Sequence, residues 1–184
     1  MIGRLARNPL TWVFAGVLAA GAAFGLYWFQ PWKLVTSRTV NEALPTVDAP
    51  ANPAPSASAA RTPAPAGNKL LATGTLISHE HDTSGAVRLV RLGDGRVQLV
   101  FENLSTSDGP DLRIWLSDQP VIEGSAGWHV FDDGRYVELG RLKANQGNQV
   151  YDVPTGTDLD GLTSVSIWCK RFAVSFGAAD LQAA

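Results

Sequence analysis

The apolar residues of this 184-residue chain form one continuous run near the N-terminus and many short alternating runs after residue 68. The continuous run, residues 10–29, holds twenty residues without a charge. At the helical rise of about 1.5 Å per residue it matches a bilayer core of roughly 30 Å. Aromatic residues lie at both ends, as at membrane interfaces: Trp12 at one, and Tyr27, Trp28 and Trp32 at the other. We therefore predict a transmembrane anchor over residues 10–29, with the lipid bilayer as partner.

Residues 1–9 form a short basic head with Arg4 and Arg7, and we expect this head to be cytoplasmic and the rest of the chain to lie outside. A cleaved signal peptide is the competing interpretation, because residues 20–22 (Ala-Gly-Ala) resemble a small-residue cleavage site. Either interpretation exports the C-terminal domain. No cysteine closely follows the apolar run, so a lipoprotein anchor is excluded. The expected location is a single-pass position in the cell membrane.

Two segments separate the anchor from the domain. Residues 30–45 form a juxtamembrane segment, either a short amphipathic helix or a structured start to the linker. Residues 46–68 are rich in Ala and Pro, a composition that cannot build a core and that predicts a disordered, semi-extended linker. At about 3.1 Å per residue such a linker could hold the domain up to roughly 70 Å from the membrane.

Residues 69–184 predict an extracytoplasmic all-β domain, because apolar and polar positions alternate in short runs and no long helical period occurs. The turn residues 93–95 (Gly-Asp-Gly) predict a hairpin between two of these runs. We expect an antiparallel β-sandwich or barrel. The predicted strands are residues 71–78, 86–92, 96–102, 112–116, 136–142, 149–153, 164–168 and 172–176.

The last two runs alternate with opposite parity. Val165, Ile167 and Cys169 share one parity, whereas Phe172 and Phe176 share the other. One regular strand cannot place both sets on one face, because a one-residue shift turns every side chain over. A tight turn or bulge is therefore expected at residues 169–171, unless the strand is buried on both faces.

Charge, cysteine content and missing motifs exclude several classes of function. Residues 69–184 carry fifteen acidic and ten basic residues, and an acidic domain argues against nucleic acid as a partner. The single cysteine cannot form an intramolecular disulfide. No Ser-His-Asp order, phosphate loop or metalloprotease motif occurs. The absence of Cys-x-x-Cys-His excludes covalent c-type haem but not haem held without a covalent bond.

Several short patterns occur together, in order, over residues 70–181. They are Gly74 and His79 followed by Ser84-Gly85, Gly109-Pro110-Asp111-Leu112, residues 139–143 (LGRLK), Gly147, residues 151–154 (YDVP), residues 165–172 (VSIWCKRF) and Phe176-Gly177. This series resembles the DM-thirteen (DM13) domain, the electron-transfer module found beside DOMON domains in Skeletor-type proteins. The apolar run and residues 30–45 look like its bacterial membrane-anchored form. The resemblance implies a redox role centred on the cysteine, as a bare thiol or as a ligand to a prosthetic group.

The residues then suggest the following site. Cys169 is the redox thiol or ligand, and Lys170 and Arg171 would lower its pKa if their side chains turned toward it. His79 would be a second ligand or proton partner, and with His81 and Cys169 it would make a nitrogen and sulfur set suited to copper or zinc. Trp168 could line the site.

The cofactor remains open, with haem and a metal ion both compatible with the sequence and neither required. The redox partner protein is also open, as is whether the protein is an enzyme. The alternative function is a non-catalytic cell-surface binding or adhesion sandwich in which Cys169 is buried and structural.

Overall fold

A computed structural model describes residues 8–47 and 67–184. Most of the predicted cytoplasmic head, residues 1–7, and most of the predicted linker, residues 48–66, lie outside the described residues. The described part consists of one N-terminal helix and a domain of two packed β-sheets.

Helix α1 spans Pro9–Phe29 and is apolar on all sides, with none of its residues buried. Asn8 caps its start, because the Asn8 side chain accepts a hydrogen bond from the Leu10 amide at 3.0 Å. It ends at Phe29, and the next residue, Gln30, adopts the left-handed conformation and donates its backbone N–H to the Leu26 carbonyl. Among the described residues this is the one helix long and apolar enough to cross a membrane. A short 3₁₀ helix, Pro31–Val35, follows it.

The domain is a β-sandwich of a six-stranded sheet, sheet A, and a five-stranded sheet, sheet B. Sheet A has the order β1-β8-β5-β4-β2-β11, with strands β1 (Thr39–Asn41), β8 (Gln146–Asp152), β5 (Val97–Ser105), β4 (Ser84–Arg91), β2 (Lys69–Thr75) and β11 (Gln182–Ala183). Sheet B has the order β3-β10-β9-β6-β7, with strands β3 (Ile77–Ser78), β10 (Val174–Asp180), β9 (Ser164–Cys169), β6 (Leu112–Ser117) and β7 (Tyr136–Arg141). The two sheets confirm the predicted β-sandwich fold.

The main core lies between the two sheets and is built from the inward side chains of both. Sheet A contributes residues such as Leu99 and Phe101, and sheet B contributes residues such as Ile114 and Ile167. Cys169 belongs to this same core. Alternation along the strands explains the arrangement, because every second side chain points to the facing sheet.

A second, smaller core covers the opposite face of sheet B. Its buried members are Trp115, Phe131, Trp168 and Ala178. Phe131 comes from the long loop between β6 and β7, which also contains a 3₁₀ turn at Gly124–Gly127. This loop buries the outer face of sheet B, so β9 is buried along its whole length on both faces.

A tight turn follows Cys169, at the point where the parity of the apolar residues changes. β9 ends at Cys169 and β10 begins at Val174, and these two residues face each other in the antiparallel ladder. Phe172 therefore lies at the tip of the hairpin rather than in the predicted strand 172–176, and 38% of it is exposed. β10 also contains a bulge at Phe176, where the register shifts between Ser175 and Gly177. The sequence pattern did not indicate this bulge.

The segment after α1 contributes a strand that the sequence pattern did not indicate. β1 pairs with β8 in parallel and forms one edge of sheet A. It is preceded by a hydrogen bond from the Arg38 amide to the Asn145 side chain at 2.7 Å. Further along, the Asn68 side chain donates to the Thr46 carbonyl at 2.8 Å. The predicted juxtamembrane segment is thus joined to the domain through its backbone.

The β1–β8 pairing depends on Gly147, which has a φ of +99° and lies against Val40. A Cβ at this position would overlap the Val40 carbonyl oxygen. Gly95 offers a matched control, because its φ is +89° but the space around it is open. Both Ala substitutions should lose about 1–2 kcal/mol through backbone strain. Gly147→Ala should lose more and release β1.

Chemical denaturation would measure the loss of stability, and hydrogen exchange at residues 39–42 would report the release of β1. Equal losses of stability in the two variants, with unchanged exchange at β1, would contradict the steric explanation.

Candidate functional site

Cys169 is the last residue of β9 and faces the core between the sheets. It lies opposite Leu112 on β6 and Val174 on β10, and its exposed fraction is 0%. The alternation predicted this direction, since Val165 and Ile167 share the same core. The thiol is therefore shielded from solvent and from large reagents.

Burial raises the pKa of the Cys169 thiol above its usual value. Hydrogen bonding from the backbone at Phe172, Arg171 and Asp111 opposes this shift, and the negative charge of Glu80 adds to it. Because burial is the largest cause, the thiol is protonated at neutral pH. A protonated, enclosed thiol is a poor nucleophile.

The charged groups of Lys170 and Arg171 do not turn toward the thiol, so they do not provide the pKa-lowering charges that the sequence suggested. The Lys170 ammonium bonds to Glu138 at 3.3 Å on the outer side of sheet B. The Arg171 guanidinium donates to the backbone carbonyls of Tyr27 and Trp28 at the end of α1. Both side chains project from the turn after Cys169, where they can reach charged or carbonyl oxygens outside the core.

The structure does not bring His79 and Cys169 together. The Nδ1 atom of His79 lies 2.9 Å from the Ser175 hydroxyl. Ser175 pairs with Trp168, so its side chain is on the face of sheet B opposite to Cys169. No group of three His, Cys, Asp or Glu residues suited to a metal ion occurs within residues 8–47 and 67–184. The donor set proposed for copper or zinc, or a haem iron held by both residues, does not fit this arrangement.

His79 is itself a buried histidine. Burial lowers its pKa below the ordinary value of 6.5, while the backbone at Ile122 opposes the shift weakly. Nε2 makes no hydrogen bond of ordinary geometry, and the ring lies 5.9 Å from that of Phe131. The imidazole is therefore neutral at physiological pH. His81 lies elsewhere, with its ring centroid 3.8 Å from that of Phe176.

Trp168 belongs to a stack of aromatic rings on the outer face of sheet B. The rings of Tyr136 and Trp115 are parallel within 9°, with centroids 3.8 Å apart. Those of Trp115 and Trp168 are 4.9 Å apart. Tyr136 is 41% exposed, whereas Trp115 and Trp168 are 2% and 1% exposed. The stack thus leads from the protein surface to the residue next to Cys169 in the chain.

Glu138 connects this stack to a group of charged residues. Its carboxylate accepts a hydrogen bond from the Trp115 indole at 3.3 Å, and it pairs with Arg113 at 2.7 Å and with Lys170. Burial alone would raise the pKa of Glu138, but the hydrogen bonds from Lys170 and Trp115, together with the Arg113 and Lys170 charges, hold the pKa below its usual value. The carboxylate beside Trp115 is therefore ionised.

Tyr136 and Glu138 were missed by sequence reasoning. Their alternation on β7 indicated a shared face, but only the pairing of β7 with β6 places that face against Trp115. The spacing of residues along one strand does not show which strand will lie beside it.

Taken together, the fold and the site define a β-sandwich with one buried cysteine at the end of an aromatic stack. The sequence matches the electron transfer DM13 family over residues 75–181, more than half of the chain. The protein belongs to this family, as the sequence patterns predicted, and membership suggests an electron-transfer role. No curated protein and no solved structure shows significant similarity to the chain.

The buried His79 predicts a pH dependence of stability. Because its folded-state pKa is lowered, the unfolded state binds the proton more readily. The stabilisation is complete above about pH 6.5, the ordinary histidine pKa, and it decreases as the pH falls toward the lowered value. Urea unfolding between about pH 7.5 and 5 should show this decrease, and His79→Gln should reduce it. His129→Gln, at an exposed histidine, is the control. If the free energy of unfolding of His79→Gln depended on pH as strongly as that of the wild type, the pH dependence could not be assigned to His79.

Proposed function

We propose that this protein is a membrane-anchored electron-transfer module whose domain lies outside the cytoplasm and whose redox centre is Cys169. Electrons would travel between the surface and β9 along the stacked rings of Tyr136, Trp115 and Trp168. The observation that carries the proposal is the continuity of this stack from an exposed ring to a ring that is 1% exposed. The electron donor or acceptor would be a one-electron carrier that docks at Tyr136.

The surroundings of Trp115 support its oxidation. Removal of one electron from an indole makes its N–H strongly acidic, and the Oε2 atom of Glu138 is 3.3 Å from that nitrogen. The proton would move to Glu138 as the electron leaves, so that no uncompensated positive charge stays on the buried ring. Return of the electron would bring the proton back. The ionised state of Glu138 prepares it to accept the proton.

Cys169 would be the inner end of this path. It follows Trp168 directly, so the two Cα atoms are about 3.8 Å apart. The two side chains lie on opposite faces of β9, so one electron would pass between the thiol and an oxidised Trp168 ring through the backbone that joins them.

Flash oxidation of the full-length protein in lipid nanodiscs with a dissolved ruthenium photo-oxidant would test the stack. Trp115→Phe should lower the yield of tryptophan radical severalfold, because the path from Tyr136 to Trp168 is interrupted. Trp128→Phe is the matched control, since this tryptophan lies outside the stack. Equal yields in the two variants would exclude conduction through Trp115.

A second candidate function is a non-catalytic binding sandwich. The observation that favours it is the complete burial of Cys169 together with the raised thiol pKa. A cysteine in such surroundings also serves as a small core residue.

Cys169→Ser separates the two functions. If the thiol is the inner redox group, the tryptophan radical should live longer in the serine variant, because serine cannot reduce it. If the thiol is structural, radical lifetime should be unchanged. The variant should then lose only about 1–2 kcal/mol of stability from an unpaired buried hydroxyl. Cys169→Ala, which adds no hydroxyl, controls for the packing change.

A further inference from the structure

The hairpin that carries Cys169 is attached to the end of helix α1. The Nη1 atom of Arg171 donates to the carbonyl oxygens of Tyr27 at 3.1 Å and Trp28 at 2.7 Å. Its guanidinium also lies over both rings, 5.8 and 5.5 Å from their centroids. The last carbonyls of a helix lack intrahelical partners and carry partial negative charge, so a cation is favoured there. Arg171 therefore connects the domain to the point where α1 ends.

Two further contacts hold this junction. Phe172 stacks on Phe29, with centroids 5.8 Å apart and planes within 18°. Lys33 pairs with Asp108 at 3.1 Å. The stack of Phe29 and Phe172 holds the hairpin tip beside the helix end, and the ion pair holds the segment after the helix against the loop between β5 and β6.

A pocket of about 320 Å³ lies at this junction, and we call it the junction pocket. Its walls are mainly apolar and include Phe29, Pro31, Pro110, Phe172 and Phe176. Polar groups also line it, among them His81 and Glu80. The His81 imidazole packs against the Phe176 ring, and its Nε2 is 3.7 Å from a Glu80 carboxylate oxygen. The pocket thus offers aromatic walls together with an imidazole and a carboxylate.

The position of the junction pocket favours a ligand that comes from the bilayer. The neighbouring end of α1 carries Tyr27 and Trp28, the residue types that occupy membrane interfaces. A ligand with an apolar tail could keep the tail among lipids while its head enters the pocket. The volume is at the lower end of the roughly 300–1,000 Å³ of small-molecule sites, a size that suits one substituted ring better than a four-ring macrocycle.

The pocket also adjoins the core around Cys169. Phe176 lines the pocket and belongs to the same core cluster as the thiol. The charge of Glu80, another lining residue, affects the Cys169 pKa. A ring in this pocket would therefore lie against a side chain of the core that holds the thiol.

We propose that the junction pocket binds the ring of a membrane-borne quinone, with the His81 imidazole donating to a ring oxygen and the phenylalanines against the faces of the ring. This inference rests on the proposed electron-transfer function, because it names a lipid-soluble redox molecule as the ligand. It concerns binding alone and assigns no step of electron transfer to the bound ring.

The test uses the full-length protein in quinone-free nanodiscs and a benzoquinone with a decyl tail. Saturable quenching of tryptophan fluorescence should report binding, since Trp28 lies at the junction. His81→Ala should weaken binding about tenfold, the effect of losing one hydrogen bond of about 1.4 kcal/mol. Phe172→Ala should weaken it too by removing a wall. The control is Ile122→Ala, at an exposed apolar residue outside the pocket.

A decyl-substituted benzene without ring oxygens distinguishes a quinone site from a lipid-chain site. Weak competition by this compound is expected. Equal competition, absence of saturation, or full affinity in both pocket variants would each overturn the proposal. The radical yield of His81→Ala in the flash-oxidation experiment should equal that of the wild type, so failure of quinone binding and failure of the aromatic path would be observed separately.

Discussion

Burial of β9 on both faces is the constraint on which the rest of the domain depends. One face of β9 packs against sheet A, and the other is covered by the loop that carries Phe131. A strand buried in this way must place apolar or satisfied polar side chains at every position. The buried serines meet this requirement through hydrogen bonds, as Ser166 does with Ser175 at 3.0 Å. Cys169 and Trp168, neighbours in sequence, can therefore occupy two separate cores.

This separation gives the two side chains different chemistry. Cys169 is in an apolar core, where burial keeps the thiol protonated. Trp168 is in the outer core, where it stacks on Trp115 and reaches, through that ring, an ionised carboxylate. One proton acceptor, Glu138, is thus available on the aromatic side of the strand. Two adjacent residues of one strand therefore lie in two different cores. In an exposed loop, at least one of the two side chains would contact solvent.

Much of this arrangement follows from alternation in the sequence. The predicted strands, the turn after Cys169 and the opposite directions of Trp168 and Cys169 all depend on a period of two, which is a local property. Other features depend on which strands become neighbours. The stacking of Tyr136 on Trp115 requires β7 beside β6, and β1 requires an edge on β8. The partners of Lys170 and Arg171 are Glu138 and the end of α1, both distant in sequence. Local charge therefore suggested an effect on Cys169 that the fold does not produce.

The strand β1 brings the chain to the domain before the proline-rich stretch, residues 46–68, begins. The chain enters sheet A at Thr39–Asn41 and again at Lys69, and the contact between Asn68 and Thr46 brings the two ends of the intervening stretch together. The stretch therefore begins and ends at the domain, at two residues that contact each other. The spacing between α1 and sheet A is set by the few residues between Phe29 and Thr39, whatever the length of the proline-rich stretch. If α1 crosses a membrane, as proposed, a sandwich on so short a connection stays at the lipid surface and meets partners that diffuse within the plane of the bilayer.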